Sequence, residues 1–139
     1  MSISQNVALI INLSLLQSRM LKRVDAQLSV HGISFTEFVV MYHLNKAPNQ
    51  MLRRIELAEK IGLSASGVTR LLLPMEKIGL VKKESNPRDA RVSLVTLTEA
   101  GEGIYKDSEE SFNSAADSLL TLLNEKQRDM FIELTEVLL

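Results

Sequence analysis

The chain has no cysteine and no tryptophan, only three prolines, and aromatic residues fill just 4% of its 139 positions. Without cysteine, disulfides, thiolate metal sites and regulation by a native thiol are excluded, an absence compatible with a reducing cytosol. With so few aromatics the core must be built from Leu, Ile, Val, Ala and Met, a bias that suits helix-on-helix packing. No apolar run approaches the ~18 residues needed to span a bilayer, and no basic region precedes the apolar residues at the N-terminus. Neither a membrane helix nor a signal peptide is expected, and the expected location is the cytoplasm. Catalytic motifs are missing as well: there is no Gly-rich phosphate loop, no Gly-x-Ser-x-Gly and no His-Glu-x-x-His. Glu109–Glu110 and Glu99/Glu102 have no partner base and fall on predicted helix surface, so the expectation is a protein that is not an enzyme.

What is present is unevenly distributed. The net charge is only -1, which looks unpromising for a partner of nucleic acid until it is divided along the chain. Residues 1–49 carry four basic and two acidic side chains, a balance of +2. Residues 50–98 carry nine basic and five acidic, a balance of +4, whereas residues 99–139 carry three basic and ten acidic, a balance of -7. A polyanion responds to the local field rather than the total, so the middle segment is the expected contact.

The length suits one domain over 1–139. Ile3 to His31 is free of Pro and Gly, with apolar residues near helical spacing. Its first half, from Val7 to Leu16, is apolar on too many sides for a helix with one wet face; either it is buried within the monomer or it meets a second chain. Ser34 and Glu37 form a capping box for a helix through about Lys46. Met51–Arg53 is a candidate short strand. A helix over Arg54–Ile61 ends at Gly62, and a second begins at Ser64 and reaches Ile78, although no Ser or Thr stands ahead of Ile55 to cap the first. Pro74 lies inside the second, where it removes the bond to the Arg70 carbonyl and predicts a kink at Leu71–Pro74. Thr98 can cap a long helix from Glu99 to about Leu122, and Asn124 with Gln127 starts a last one. The chain ends on Val137-Leu138-Leu139, an apolar ending that would be covered if this helix packed against its copy.

Two helices separated by a two-residue break read as a helix-turn-helix. After Gly79, Leu80–Glu84 and Val92–Leu97 read as the strands of a hairpin around a turn-rich loop, Ser85–Arg91. A slim helix followed by a cationic hairpin matches the two grooves of duplex DNA: the helix fits the major groove, and extended arginines can enter the narrow, strongly negative minor groove. The candidate contacts are Ser64, Ser66, Gly67, Thr69 and Arg70 at the start of the second helix, Arg88 and Arg91 in the hairpin, and Arg53 and Arg54 toward phosphate. Arg70 could form a bidentate pair with guanine, and small Ser66 and Gly67 permit close approach. Asp89 is repelled by phosphate; its natural part is to hold Arg91 or another arginine and shape the hairpin. His31 and His43, with Glu37 as a third ligand, make only a weak zinc proposal, and no metal or cofactor is expected.

These residues also carry a family resemblance. Asp89-Ala90-Arg91 followed by Leu97-Thr98-Glu99-Ala100-Gly101 resembles the Asp-x-Arg…Leu-Thr-x-x-Gly signature of the multiple antibiotic resistance regulator (MarR) family. Glu56-Leu57-Ala58, Gly62-Leu63-Ser64, Val68-Thr69-Arg70-Leu71 and Glu76-Lys77-Ile78-Gly79-Leu80-Val81 match its helix-turn-helix in order. The resemblance implies a mainly α (α+β) winged helix-turn-helix lobe over 34–98, with dimerisation helices at 1–33 and 99–139. It also implies a homodimeric, ligand-responsive regulator of transcription, more commonly a repressor, on a pseudo-palindromic double-stranded operator. Met20, Met41 and Tyr42 are candidates for lining a pocket for a small-molecule effector. The alternatives are a winged helix used as a protein-interaction module, and a small-molecule binding protein without DNA binding.

Overall fold

A computed structural model describes residues 2–139, which form six helices and one three-stranded antiparallel sheet. Helix α1 spans Gln5–Leu28. It begins at Gln5 rather than Ile3 because Ser4 caps it, the Ser4 hydroxyl accepting from the Val7 N–H at 3.2 Å. A 3-10 turn, Ser29–His31, leads to Gly32 in the left-handed region. Helix α2, Phe35–Lys46, has the expected capping box: the Ser34 hydroxyl accepts from the Glu37 N–H at 3.2 Å, and the Glu37 carboxylate accepts from the Ser34 N–H at 2.8 Å.

Strand β1, Met51–Arg53, runs directly into α3, Arg54–Ile61. In place of a Ser or Thr cap, the Glu56 carboxylate accepts from the Arg53 N–H at 3.1 Å. Gly62, at φ +70°, ends α3. Helix α4, Ala65–Lys77, then starts from Ser64, whose hydroxyl accepts from the Gly67 N–H at 3.1 Å. Pro74 lies inside this helix, which continues past it to Lys77. Leu72 and Met75, on either side of the proline, are fully buried.

Strands β2, Val81–Asn86, and β3, Asp89–Leu97, form the hairpin, and β1 adds to the far edge of β3, giving the order β1-β3-β2. Pairing runs from Val81–Leu97 to Asn86–Asp89, with an irregularity at Ser85/Asn86. The loop expected over 85–91 therefore shrinks to Pro87 and Arg88, because the strands remain paired almost to the tip. Helix α5, Glu99–Leu120, is capped by the Thr98 hydroxyl, which accepts from the Gly101 N–H at 3.0 Å; α6, Glu125–Leu138, is capped reciprocally by Asn124 and Gln127.

The core lies where α2, α3, α4 and the sheet base meet, around Met41, Leu44, Leu57, Leu72 and Val95. Phe38, Tyr105 and Phe112 tie α2 to α5, with ring centroids 5.1 and 4.8 Å from Phe38. The two terminal helices behave differently. Only Val24 and Leu28 of α1 are buried and no residue of α6 is. Ile10 is 65% exposed and Leu134 56%, so the apolar first half of α1 is not covered within the protomer.

Candidate nucleic-acid interface

The turn between α3 and α4 is built by local chemistry. Gly62 supplies the left-handed residue, and Ser64 satisfies the Gly67 N–H, one of the free donors that open any helix. Ser64, Ser66, Thr69 and Arg70 are all exposed at this end of α4, while Val68 and Leu72 face the core. Gly67 is half-buried, and a Cβ placed on it would lie 3.3 Å from the Ser64 hydroxyl and 3.4 Å from Leu63 Cβ. Its smallness therefore protects the cap.

Across from this turn stands the hairpin. At its tip the Asn86 side-chain oxygen accepts from the Arg88 N–H at 2.9 Å, which presents exposed Arg88 at the extremity. One step along, Asp89 accepts from the Arg91 backbone N–H at 3.0 Å and from Arg91 Nε at 3.1 Å. The side-chain bond and then the backbone bond from Arg91 hold the Asp89 carboxyl below its ordinary range. This is the pairing anticipated for Asp89, and it fixes Arg91 while leaving its guanidinium largely exposed, the side chain being 91% accessible. An open groove of about 670 Å³ joins the two parts, with Arg53, Ala65, Thr69, Arg91 and Ser93 among its walls.

Arg53 and Arg54, adjacent in the chain, have different surroundings. Arg53 is exposed, with its side chain 3.9 Å from Glu56. The Arg54 guanidinium turns inward between α3 and α4, donating to the Thr69 hydroxyl at 2.8 Å and lying 3.8 Å from the Glu76 carboxylate. It is engaged by protein rather than held free for phosphate. Nothing local in the sequence separates the two arginines, since the partners of Arg54 lie a helix away. The groove also brings in Ile55 and Val92, which no motif picks out.

The remaining candidates scatter. His31 hydrogen-bonds Ser111 at 2.8 Å, and His43 lies edge-on to Tyr42, its pKa lowered by burial and then by Lys60 and Lys46. Met20, Met41 and Tyr42 do not share one pocket. Met41 is fully buried in the core, and Tyr42 lines a cleft between α2 and α5. Met20 lines a separate apolar groove of about 410 Å³ against α5 and α6, with Leu13, Phe112, Leu119 and Phe131. Among the described residues, no helix is long and apolar enough to cross a membrane.

Comparison with known proteins gives a consistent picture. Residues 33–93 match the MarR family. The chain is 29% identical over 104 residues to the HTH-type transcriptional regulator MhqR of Bacillus subtilis, covering 75% of this chain and 70% of that protein. It is 25% identical over 124 residues to the transcriptional repressor MprA of Escherichia coli, covering 89% of this chain and 70% of that one. Among solved structures it is similar to a mutant MarR from E. coli complexed with operator DNA, at TM-score 0.89 and 20% identity over 97% of this chain and 96% of that one. It is also similar to Sco3205 of Streptomyces coelicolor in complex with DNA, at TM-score 0.88 and 20% identity over 99% of this chain and 89% of that one. At these identities the two structures speak for the fold.

Proposed function

From the match of residues 33–93 to the MarR family, we propose that the chain is a MarR-family protein and a cytoplasmic, non-enzymatic transcriptional repressor that binds a pseudo-palindromic operator as a homodimer. The observation that carries this reading is the groove in which Ala65 and Thr69 of α4 face Arg91 and Ser93 of the hairpin, with Arg53 on its wall, while Ser64, Ser66 and Arg70 of α4 and Arg88 at the hairpin tip lie exposed outside it. In this reading α4 enters the major groove through Ser64, Ser66, Gly67, Thr69 and Arg70, and Arg88 reaches the minor groove. Arg53 and Arg91 meet phosphate, and Asp89 sets the angle of the hairpin. The lobe spans 34–98, and the helices at 1–33 and 99–139 pair with those of a second copy, placing two α4 helices roughly 34 Å apart.

Control of occupancy follows from the same arrangement. Only one separation of the two lobes fits both half-sites, so anything that favours another separation releases the operator. The apolar groove between α1, α5 and α6 lies where a small apolar effector would act on that separation.

The test is binding to the duplex flanking its own gene, measured against salt. The expected result is operator preference with log K falling linearly in log salt, at roughly 0.9 per phosphate neutralised. Arg70→Ala should weaken binding by about tenfold or more and relax preference at one base pair, by the ~1–3 kcal/mol of a bidentate base contact. Arg88→Ala should weaken binding across sequences and flatten the salt slope by about 1. Equal affinity for operator and random duplex, or no effect of either variant, would overturn the reading.

A further inference from the structure

The inward turn of Arg54 has a consequence for what Thr69 can offer a base. The Thr69 hydroxyl donates to the Ala65 carbonyl one turn back at 3.2 Å and accepts from Arg54 Nη2 at 2.8 Å. A hydroxyl has one hydrogen and two lone pairs, so its only hydrogen is spent within the protein and one lone pair is occupied. Arg54 is held in turn by Glu76, 3.8 Å away near the end of α4, and both side chains are largely covered, at 19% and 26% accessible. A β-branched side chain pinned at its oxygen has a fixed χ1, which fixes its methyl too. Thr69 is nevertheless exposed, and it sits on the turn that faces the hairpin.

We propose that Thr69 determines sequence specificity through its methyl group, selecting a thymine in each half-site by contact with the thymine C5-methyl, and that Arg54, held by Glu76, is the positioning residue that presents it. The inference rests on the DNA-binding reading above. A hydroxyl free to turn would hydrogen-bond several bases, since Ser and Thr serve either donors or acceptors. One locked onto its own helix can no longer donate to thymine O4 or to guanine, and beside its one remaining lone pair it holds out a fixed methyl; thymine is the base that presents an apolar group in the major groove to meet it.

The experiment replaces each thymine of a half-site in turn with uracil, in a duplex selected from random sequence, which removes one methyl and changes no hydrogen-bonding group. Wild-type protein should lose about fourfold in affinity at one position per half-site, the factor expected from uncovering one methyl. Thr69→Ser keeps the hydroxyl and both of its bonds; it should bind the thymine and uracil duplexes equally at that position, while other positions respond as in wild type. Arg54→Met should reduce the same discrimination, whereas a purely structural role for Arg54 would weaken both duplexes by the same factor. Wild type that discriminates at no thymine, or Thr69→Ser that discriminates as wild type does, overturns the proposal. Failure to select any duplex overturns the DNA-binding reading itself and this inference with it, so the two failures are told apart by the selection step.

Discussion

At the scale of single residues, Arg91 of the hairpin depends on one carboxylate. Asp89 engages Arg91 through both side chain and backbone, and the bonds favour the charged carboxylate, which is why its pKa lies below the ordinary value. A group whose folded pKa is depressed contributes above its unfolded pKa and loses that contribution as pH falls through the folded one. The clamp should therefore persist through the ordinary carboxylate range and release only at more acidic pH. The Arg91 Nε–H resonance followed by NMR in an acid titration reads this directly, and a midpoint at or above the usual Asp value would contradict it. Asp89→Asn keeps one acceptor but loses the charge-assisted pair. It should leave global stability nearly unchanged, because the pair is exposed, and reduce operator affinity severalfold by loosening the hairpin. Affinity unchanged in Asp89→Asn would mean that hairpin shape is set elsewhere.

At the scale of elements, the junction of hairpin and α5 explains the Leu-Thr-x-x-Gly signature physically. Thr98 caps α5 through the Gly101 N–H, and the Thr98 N–H itself donates to the Leu80 carbonyl at 3.1 Å. That second bond draws α5 against the start of β2. A Cβ at Gly101 would fall 2.1 Å from the Leu80 carbonyl oxygen and 2.8 Å from Leu97 Cδ1. The first neighbour is backbone and cannot rotate away. Gly101→Ala should thus destabilise the fold by about 3 kcal/mol or more, at the upper end of overpacking costs, whereas Gly103→Ala, which meets nothing nearby, should be neutral or mildly stabilising in mid-helix. Denaturant midpoints of the two variants check the contrast, and equal midpoints would refute it.

What is legible in sequence at this scale is what is local. Ser34 with Glu37, Thr98 with Gly101 and Asn124 with Gln127 are each separated by three residues, so one stretch of chain holds both partners. The Arg54–Thr69 bond joins residues fifteen apart on two helices, and no pattern within either helix announces it. The length of the hairpin strands is hidden for a related reason. Ser85-Asn86-Pro87-Arg88-Asp89 has turn chemistry throughout, and cross-strand pairing decides how much of it is turn. Met41 illustrates the opposite ambiguity: helical spacing marks an apolar face without saying whether that face lines a pocket or fills the core, and here it fills the core.

At the scale of the whole molecule, charge and exposed apolar surface divide the labour. The positive middle segment builds the lobe, while residues 99–139, with a balance of -7, build α5 and α6. A duplex is repelled by that end and drawn to the other, so the field favours an approach with the lobes leading. The terminal helices carry the exposed apolar residues Val7, Ile10, Leu15, Leu134 and Leu138, a surface too extensive to leave in water and suited to a second copy. Dimerisation makes the second half-site contact intramolecular, worth roughly 10²–10⁴ in affinity. The double variant Ile10→Glu, Leu134→Glu places charges on both helices at sites exposed within the protomer, so the fold of each lobe should survive. Sedimentation should show a monomer, circular dichroism an unchanged helical content, and operator binding a loss of about 100-fold or more, the lower bound of the lost avidity. Affinity for an isolated half-site should stay the same, because the lobe is untouched. A variant that remains dimeric would show that these helices are not the interface, and a monomer with full operator affinity would show that occupancy does not require two lobes.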